Sequence, residues 1–136
     1  MKTVLFLCTH NSARSQLAEA LLNHFYGEQY QGFSAGSTPR GVHSLTLKVL
    51  EELGINTKAL RSKSIEEFIG KKINVVVTVC DNAKESCPVL PGADKYLHRN
   101  FQDPSAIHGT NLQKLAAFRS ARDEIKRWLD VTFVAK

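Results

Sequence analysis

Apolar residues run unbroken from Val4 to Cys8, and the bulky, branched side chains over Thr3–Leu7 predict a strand buried on both faces. The polar stretch Thr9–Ser12 interrupts the run. Beyond it Leu17, Ala18, Leu21, Leu22 and Phe25 recur at helical spacing on one face, with Gly27 as a stop. Gln31–Ala35 reads as a second short strand, closed by Gly36-Ser37-Thr38-Pro39. Val42, Leu45, Val49, Leu50 and Leu53 outline a second amphipathic helix ended by Gly54. Ile55–Lys63 reads as loop and Ile65–Phe68 as a short helical turn. Ile73–Val79 is the clearest strand, Tyr96–His98 a short edge strand. A last helix is predicted over Leu112–Thr132, burying Leu115, Phe118, Ile125, Trp128 and Leu129.

Strands that alternate with helices predict parallel pairing with helices on both faces. The expected architecture is a three-layer α/β/α sandwich around a small parallel sheet of about four strands, in one domain spanning 1–136. Ligands of such sheets bind beyond the carboxyl ends of the strands, near a switch in strand order. Two predicted strands end at cysteines, Cys8 and Cys80, so the pair can share one site although 72 positions separate them.

Composition changes this picture little. The chain has 136 residues, 43% of them hydrophobic, enough for a core that needs no disulfide staple. No apolar run approaches a membrane span, and no separate apolar region or cleavage site precedes the first strand. The expectation is a cytoplasmic protein with no membrane contact, acting as a monomer. The net charge of +5 favours anionic partners. The basic residues are scattered and have no aromatic platform among them, so a small anion is expected rather than nucleic acid. The five histidines and three cysteines show no zinc-site spacing, and no metal is expected. Three cysteines in a reducing compartment would ordinarily be free thiols.

Cys8-Thr9-His10-Asn11-Ser12-Ala13-Arg14-Ser15 is the most informative segment. A short loop between a strand and a helix N-terminus turns backbone N–H groups inward, and unsatisfied helix donors add positive potential. Such a loop can cradle a tetrahedral oxyanion over Thr9–Ser15, with Arg14 adding a bidentate fork. The same field favours the thiolate of Cys8, the reactive form. Ser15 is placed to donate a hydroxyl hydrogen to that sulfur, and Asn11 to pin the loop. The spacing Cys-x5-Arg alone is weak; after a buried strand, before an amphipathic helix and ending in Arg-Ser, it is specific. The loop lacks the pattern of a nucleotide-triphosphate loop.

In that context Cys8–Ser15 resembles the signature of low-molecular-weight protein tyrosine phosphatases. The resemblance extends through Ser34-Ala35-Gly36 and the valine-rich strand to Asp103-Pro104, and implies the phosphotyrosine phosphatase I-like fold. It gives Cys8 the role of nucleophile, Arg14 that of oxyanion ligand and Asp103 that of general acid. Pro104 would fix the backbone beside that acid.

The stretch from Cys80 to Cys87, followed by Pro-Val-Leu-Pro, is similar to the thioredoxin-coupled arsenate reductases, which share the phosphatase fold and add a redox cysteine pair. The resemblance implies reduction of arsenate to arsenite with phosphate and sulfate as analogues, a Cys8–Cys80 disulfide, then a Cys80–Cys87 disulfide that thioredoxin reduces. No tightly bound cofactor is implied. Two electrons are needed, and two thiols becoming one disulfide supply them. If 80–87 were helical, its ends would stand roughly 10 Å apart, whereas a disulfide needs Cα atoms about 4.4–6.8 Å apart. The segment is therefore expected to loop back on oxidation.

The sequence departs from the family at three points. Ala13 stands where some relatives have a cysteine, and His10 where glycine is frequent. Some relatives hold a potassium ion through an asparagine, a glutamate, a serine and an aspartate. Asn11, Glu19 and Ser34 match, but the aspartate is replaced near Ser64. The competing reading is a tyrosine or phosphomonoester phosphatase using Cys8, Arg14 and Asp103. It requires aromatic residues at the pocket mouth, for which Phe33, Phe101 and Tyr96 are available.

Overall fold

The computed structural model of the chain describes residues 1–81 and 87–133. Strand β1 (Lys2–Cys8) leads through the Cys8–Ser15 loop into α1 (Arg14–Tyr26), then β2 (Tyr30–Gly36) and α2 (Ser44–Glu51). A 3-10 turn (Ile65–Phe68) precedes β3 (Val75–Thr78) and β4 (Lys95–His98). A second 3-10 turn (Pro104–Ala106) and α3 (Asn111–Thr132) follow.

All strand pairs are parallel, in the order β2-β1-β3-β4. The chain moves outward from β1 to β2, then crosses to the other side of β1 for β3. The strand order therefore reverses between β1 and β3, and a crevice opens at their carboxyl ends. Cys8 ends β1. Leu7 is in register with Thr78, and Val79 N donates to Leu7 O at 2.9 Å, so Cys80 emerges beside Cys8 at that crevice. The adjacency expected from two strand-ending cysteines thus follows from the sheet register.

Alternation along β1 sorts its side chains to two cores. Val4 and Phe6 face a cluster with Leu17, Leu21 and Leu22 of α1, Val49 and Leu50 of α2, and Phe118, Ile125 and Leu129 of α3. Leu5 and Leu7 face a smaller cluster with Ala35, Phe68, Ile73, Val76 and Leu90. The three-layer arrangement is kept, but all three α-helices contribute to the first cluster. Among the described residues, the second layer is built from the 3-10 turn and loop positions such as Leu90.

The pattern located every element named above, with shifts at the ends. Phe25, expected on the buried face of α1, is 45% exposed: it lies in the last turn of the helix, where Lys126 Nζ sits 4.4 Å over its ring. α2 stops at Glu51, so Leu53 lies past the helix, and the turn closes through Gly54 with φ of +78°. Trp128 is half-buried, edge-on to Phe101 and Phe133. β3 ends at Thr78, two residues short of Cys80. No helix among the described residues is long and apolar enough to cross a membrane.

Candidate active site

The loop after β1 is shaped by where its carbonyl groups go. Thr9 O accepts from Thr38 N at 2.8 Å, and His10 O from Arg40 N at 3.0 Å and Ser62 Oγ at 3.2 Å. Asn11 O accepts from Gln16 Nε2 at 3.2 Å, and Ser12 O from His43 N at 3.1 Å and Thr46 Oγ1 at 3.0 Å. With four successive carbonyls engaged on the outside, the peptide N–H groups are left to face the concave side, as an anion nest requires. Asn11 makes the bend: its φ is +49°, the only positive value at a non-glycine residue among those described. Gly36 at the end of β2 lets the loop approach. A Cβ there would fall 2.6 Å from Thr9 O and 2.9 Å from Asn11 N. Ser34-Ala35-Gly36, noticed in sequence as part of a resemblance, thus has a steric reason.

The nucleophile is held by a directed chain of donors. Asn11 is fully buried, and its Oδ1 accepts from Lys63 N at 2.8 Å and Gln16 Nε2 at 2.9 Å. A backbone N–H can only donate, so the carboxamide is fixed with Nδ2 on its other side. Asn11 Nδ2 donates to Ser15 Oγ at 2.8 Å. Ser15 Oγ lies 2.8 Å from Cys8 Sγ; Asn11 takes one of its two lone pairs, and its hydrogen is available to the sulfur whenever that sulfur is a thiolate, which can only accept. A hydroxyl that donates to sulfur stabilises thiolate over thiol. Cys8 is a free thiol, 2% exposed.

Arg14 opens α1, whose N-cap Ala13 makes no side-chain cap, so the helix N-terminus keeps donors for a ligand. The guanidinium is 3% exposed; Nη1 donates to Phe101 O at 3.3 Å, and Nη2 stands 3.7 Å from Asp103 Oδ2. Asp103 caps the 3-10 turn that starts at Pro104, and its Oδ1 accepts from Ser105 N at 3.0 Å and Ser105 Oγ at 2.7 Å. One carboxylate oxygen is thereby anchored and the other is aimed across the cleft. Cys8, His10, Ser12, Ala13, Arg14, Asp103 and Ser105 line this cleft, which the arginine–aspartate pair narrows to about 10 Å³.

Cys80 and Cys87 form a disulfide with Cα atoms 6.1 Å apart. Cys80 is fully buried; Cys87 is partly buried against the same core. The loop-back expected between them falls on residues 82–86, which lie outside the described residues.

Of the site residues read from the sequence, Cys8, His10, Ser12, Ala13, Arg14 and Asp103 line the cleft, whereas Thr9, Asn11, Ser15, Cys80 and Cys87 are not part of its lining. The aromatic residues proposed for a phosphotyrosine pocket do not line it either. Phe33 packs on Phe68 beneath the other face, Phe101 is buried against Trp128, and Tyr96 donates to Leu90 O. Among the described residues, no phenylalanine, tyrosine or tryptophan lines the cleft.

Gln16, Lys63 and Ser105 escaped the sequence reading. Gln16 carried a signal, a polar residue in the first turn of α1 just ahead of its apolar face. It bridges Asn11 and Arg61 O, while its Oε1 has no partner among the described residues. Among the described residues, no group of three or more His, Cys, Asp or Glu comes together as a metal site.

The family described as low molecular weight phosphotyrosine protein phosphatase matches residues 3–129. An arsenate reductase of Halalkalibacterium halodurans is 38% identical over 124 residues, 91% of this chain and 89% of the relative. A solved arsenate reductase in a phosphate-binding state superposes with a TM-score of 0.78 at 29% identity, covering 96% of this chain and 95% of the other. A thioredoxin-dependent arsenate reductase of Corynebacterium glutamicum gives a TM-score of 0.66 at 28% identity, covering 97% of this chain and 63% of the other.

Proposed function

Because the chain belongs to the low molecular weight phosphotyrosine protein phosphatase family, whose loop it carries beside a cysteine disulfide, we propose that it reduces arsenate to arsenite with thioredoxin as the reductant. The observation that carries this reading is the covalent state of the three cysteines. Cys80 is joined to Cys87 while Cys8 is a free thiol held in the oxyanion loop, the state in which a three-thiol relay ends. Relatives and solved structures named as arsenate reductases over nearly the whole chain support it.

The proposed steps balance as follows. Arsenate enters the nest of Thr9–Ser15 and takes over the Arg14 fork from Asp103. The Cys8 thiolate attacks arsenic, and one hydroxyl leaves as water with a proton from Asp103. Cys80 attacks Cys8 sulfur; the S–As bond breaks and its electron pair stays on arsenic, which departs as arsenite. Cys87 then attacks Cys80, which returns Cys8 as thiolate and moves the disulfide outward. Cys80 is fully buried and Cys87 is not, so an external thiol meets Cys87 first. A thioredoxin dithiol opens the bond there and carries away the two electrons' worth of oxidation. No tightly bound cofactor enters, and the reaction suits a monomer of one domain, residues 1–136, in the reducing cytoplasm.

A tyrosine phosphatase is not favoured. Its substrate ring has no aromatic wall in the cleft, and the disulfide pair would be left without a task.

The test is a single turnover without reductant. Fully reduced protein mixed with arsenate should yield about one arsenite per chain, two electrons from two thiols. Peptide mapping should find Cys80–Cys87 in the wild type and Cys8–Cys80 in Cys87→Ser. The absence of both arsenite formation and thiol loss would sink the proposal.

A further inference from the structure

Behind the oxyanion loop, on the side away from the cleft, lies a charge pair that the reaction does not use. Lys63 is 7% exposed and Glu19 9%. Lys63 Nζ donates to Arg61 O at 2.7 Å and stands 3.4 Å from Glu19 Oε1, which also accepts from Ser34 Oγ at 2.8 Å. The backbone of the same residue ties two elements together. Lys63 N donates to Asn11 Oδ1 at 2.8 Å, and Lys63 O accepts from Gly36 N at 2.9 Å.

A potassium ion implied by the family resemblance does not fit here. Its oxygen ligands would include Glu19 and Ser34, but an ammonium already lies against Glu19, and it brings three donors and no acceptor. A second cation at that carboxylate would meet like charge in a buried setting, where repulsion is poorly screened.

We infer that Lys63 is a positioning residue whose ammonium is a tethered cation for the oxyanion loop, in place of a bound monovalent ion. By holding 61–63 against Glu19 it sets the Lys63 N–H on Asn11. That N–H fixes the sense of the Asn11 amide, the amide donates to the Ser15 hydroxyl, and the hydroxyl lies 2.8 Å from Cys8 Sγ, placed to donate to its thiolate. A cation on the chain itself is present at constant effective concentration, whatever the salt. The inference rests on reading Cys8–Ser15 as the oxyanion loop, but its readouts do not involve arsenate. Failure of the reductase assignment would leave it standing.

Reduced wild type, Lys63→Ala and Lys63→Gln are compared in choline, sodium, potassium and ammonium chloride at equal ionic strength. The melting temperature is read together with the rate of Cys8 alkylation by iodoacetamide, mapped by mass spectrometry. Wild type should be indifferent to the cation in both. In choline, Lys63→Ala should melt about 10 °C lower, the scale expected when one partner of a buried pair is removed. Its Cys8 should alkylate about tenfold more slowly as the sulfur loses its aligned hydroxyl neighbour. Potassium or ammonium should restore at least half of each loss in Lys63→Ala, because the vacated space is lined by carboxylate, hydroxyl and carbonyl oxygens. The glutamine variant fills that space and should not be rescued. Three results would overturn the inference: wild type stabilised by potassium over choline, Cys8 alkylation unchanged in both variants, or melting loss that no cation relieves. If Lys63→Ala does not fold in choline, its recovery or failure in potassium decides the matter.

Discussion

Cys8 gets its chemistry from neighbours that are far apart in sequence, and single substitutions should expose each contribution. Arg14 presents two nitrogens from a buried stem, one on Phe101 O and one facing Asp103. Lysine keeps the charge but loses the fork, so Arg14→Lys should lower kcat/KM for arsenate by about 10²-fold with the fold intact, as for removal of a preorganised oxyanion donor. A loss under threefold, measured as the initial rate of arsenite formation, would argue against bidentate oxyanion binding. Gly36→Ala tests the loop from behind. Its methyl meets three backbone atoms, Thr9 O, Asn11 N and Cys8 O, none of which can rotate away. We expect about 2 kcal/mol of destabilisation by urea titration, the scale of an overpacked site. We also expect weaker protection of Cys8 from alkylation by phosphate. The two chain segments that pinch the loop were invisible to a reading along the sequence. The N–H groups of Thr38, Arg40, His43 and Lys63 act from the main chain, whose partners leave no mark on residue type.

At the level of elements, apolar periodicity was sufficient wherever a segment packs on the sheet, and it failed at ends. α1 is buried nearly all round through Leu22 and only on one side beyond it, where Tyr26 packs on the core, so Phe25 keeps the spacing without the burial. The caps are set by polar side chains instead. Thr110 accepts from Gln113 N at 3.2 Å while Gln113 Oε1 accepts from Thr110 N at 2.8 Å, a reciprocal box at the start of α3. Thr110→Ala should cost about 1 kcal/mol of stability. α2 and α3 are joined by Glu52, which accepts from Arg119 and Arg122. The Arg119 hydrogen bond, followed by that from Arg122, holds the Glu52 carboxyl below its ordinary range despite some opposing desolvation. A carboxylate with a depressed pKa stabilises the fold above the unfolded-state value and loses that contribution as pH falls through the folded one. The melting temperature of Glu52→Gln should therefore lie below wild type at pH 7, with the gap closing as pH drops below 4.5. A gap that stays constant to pH 3 would contradict the ion-pair account.

The whole molecule is organised so that two adjacent strands bring two cysteines to the same carboxyl edge of the sheet. β1 ends in Cys8, β3 leads into Cys80, and the strand order reverses between them. This much was legible in the sequence, because both predicted strands run up to a cysteine and parallel sheets place their chemistry at such ends. Which thiol would be bonded in the folded chain was not legible from the residues alone; it entered through a resemblance, and Cys80–Cys87 is the pair observed. The phosphatase alternative could not be set aside from sequence either. Phe33, Phe101 and Tyr96 have the right chemistry, and only their directions take them away from the cleft.

The central claim is a relay whose last thiol is there for an outside reductant. Its most direct test is steady-state arsenite formation with thioredoxin, thioredoxin reductase and NADPH, wild type against Cys87→Ser. The account predicts continuous turnover in the wild type and, in the variant, a stop after about one equivalent of arsenite, because two thiols supply two electrons once. Sustained turnover by Cys87→Ser, or a wild type that makes no arsenite yet hydrolyses an aryl phosphate, would contradict it.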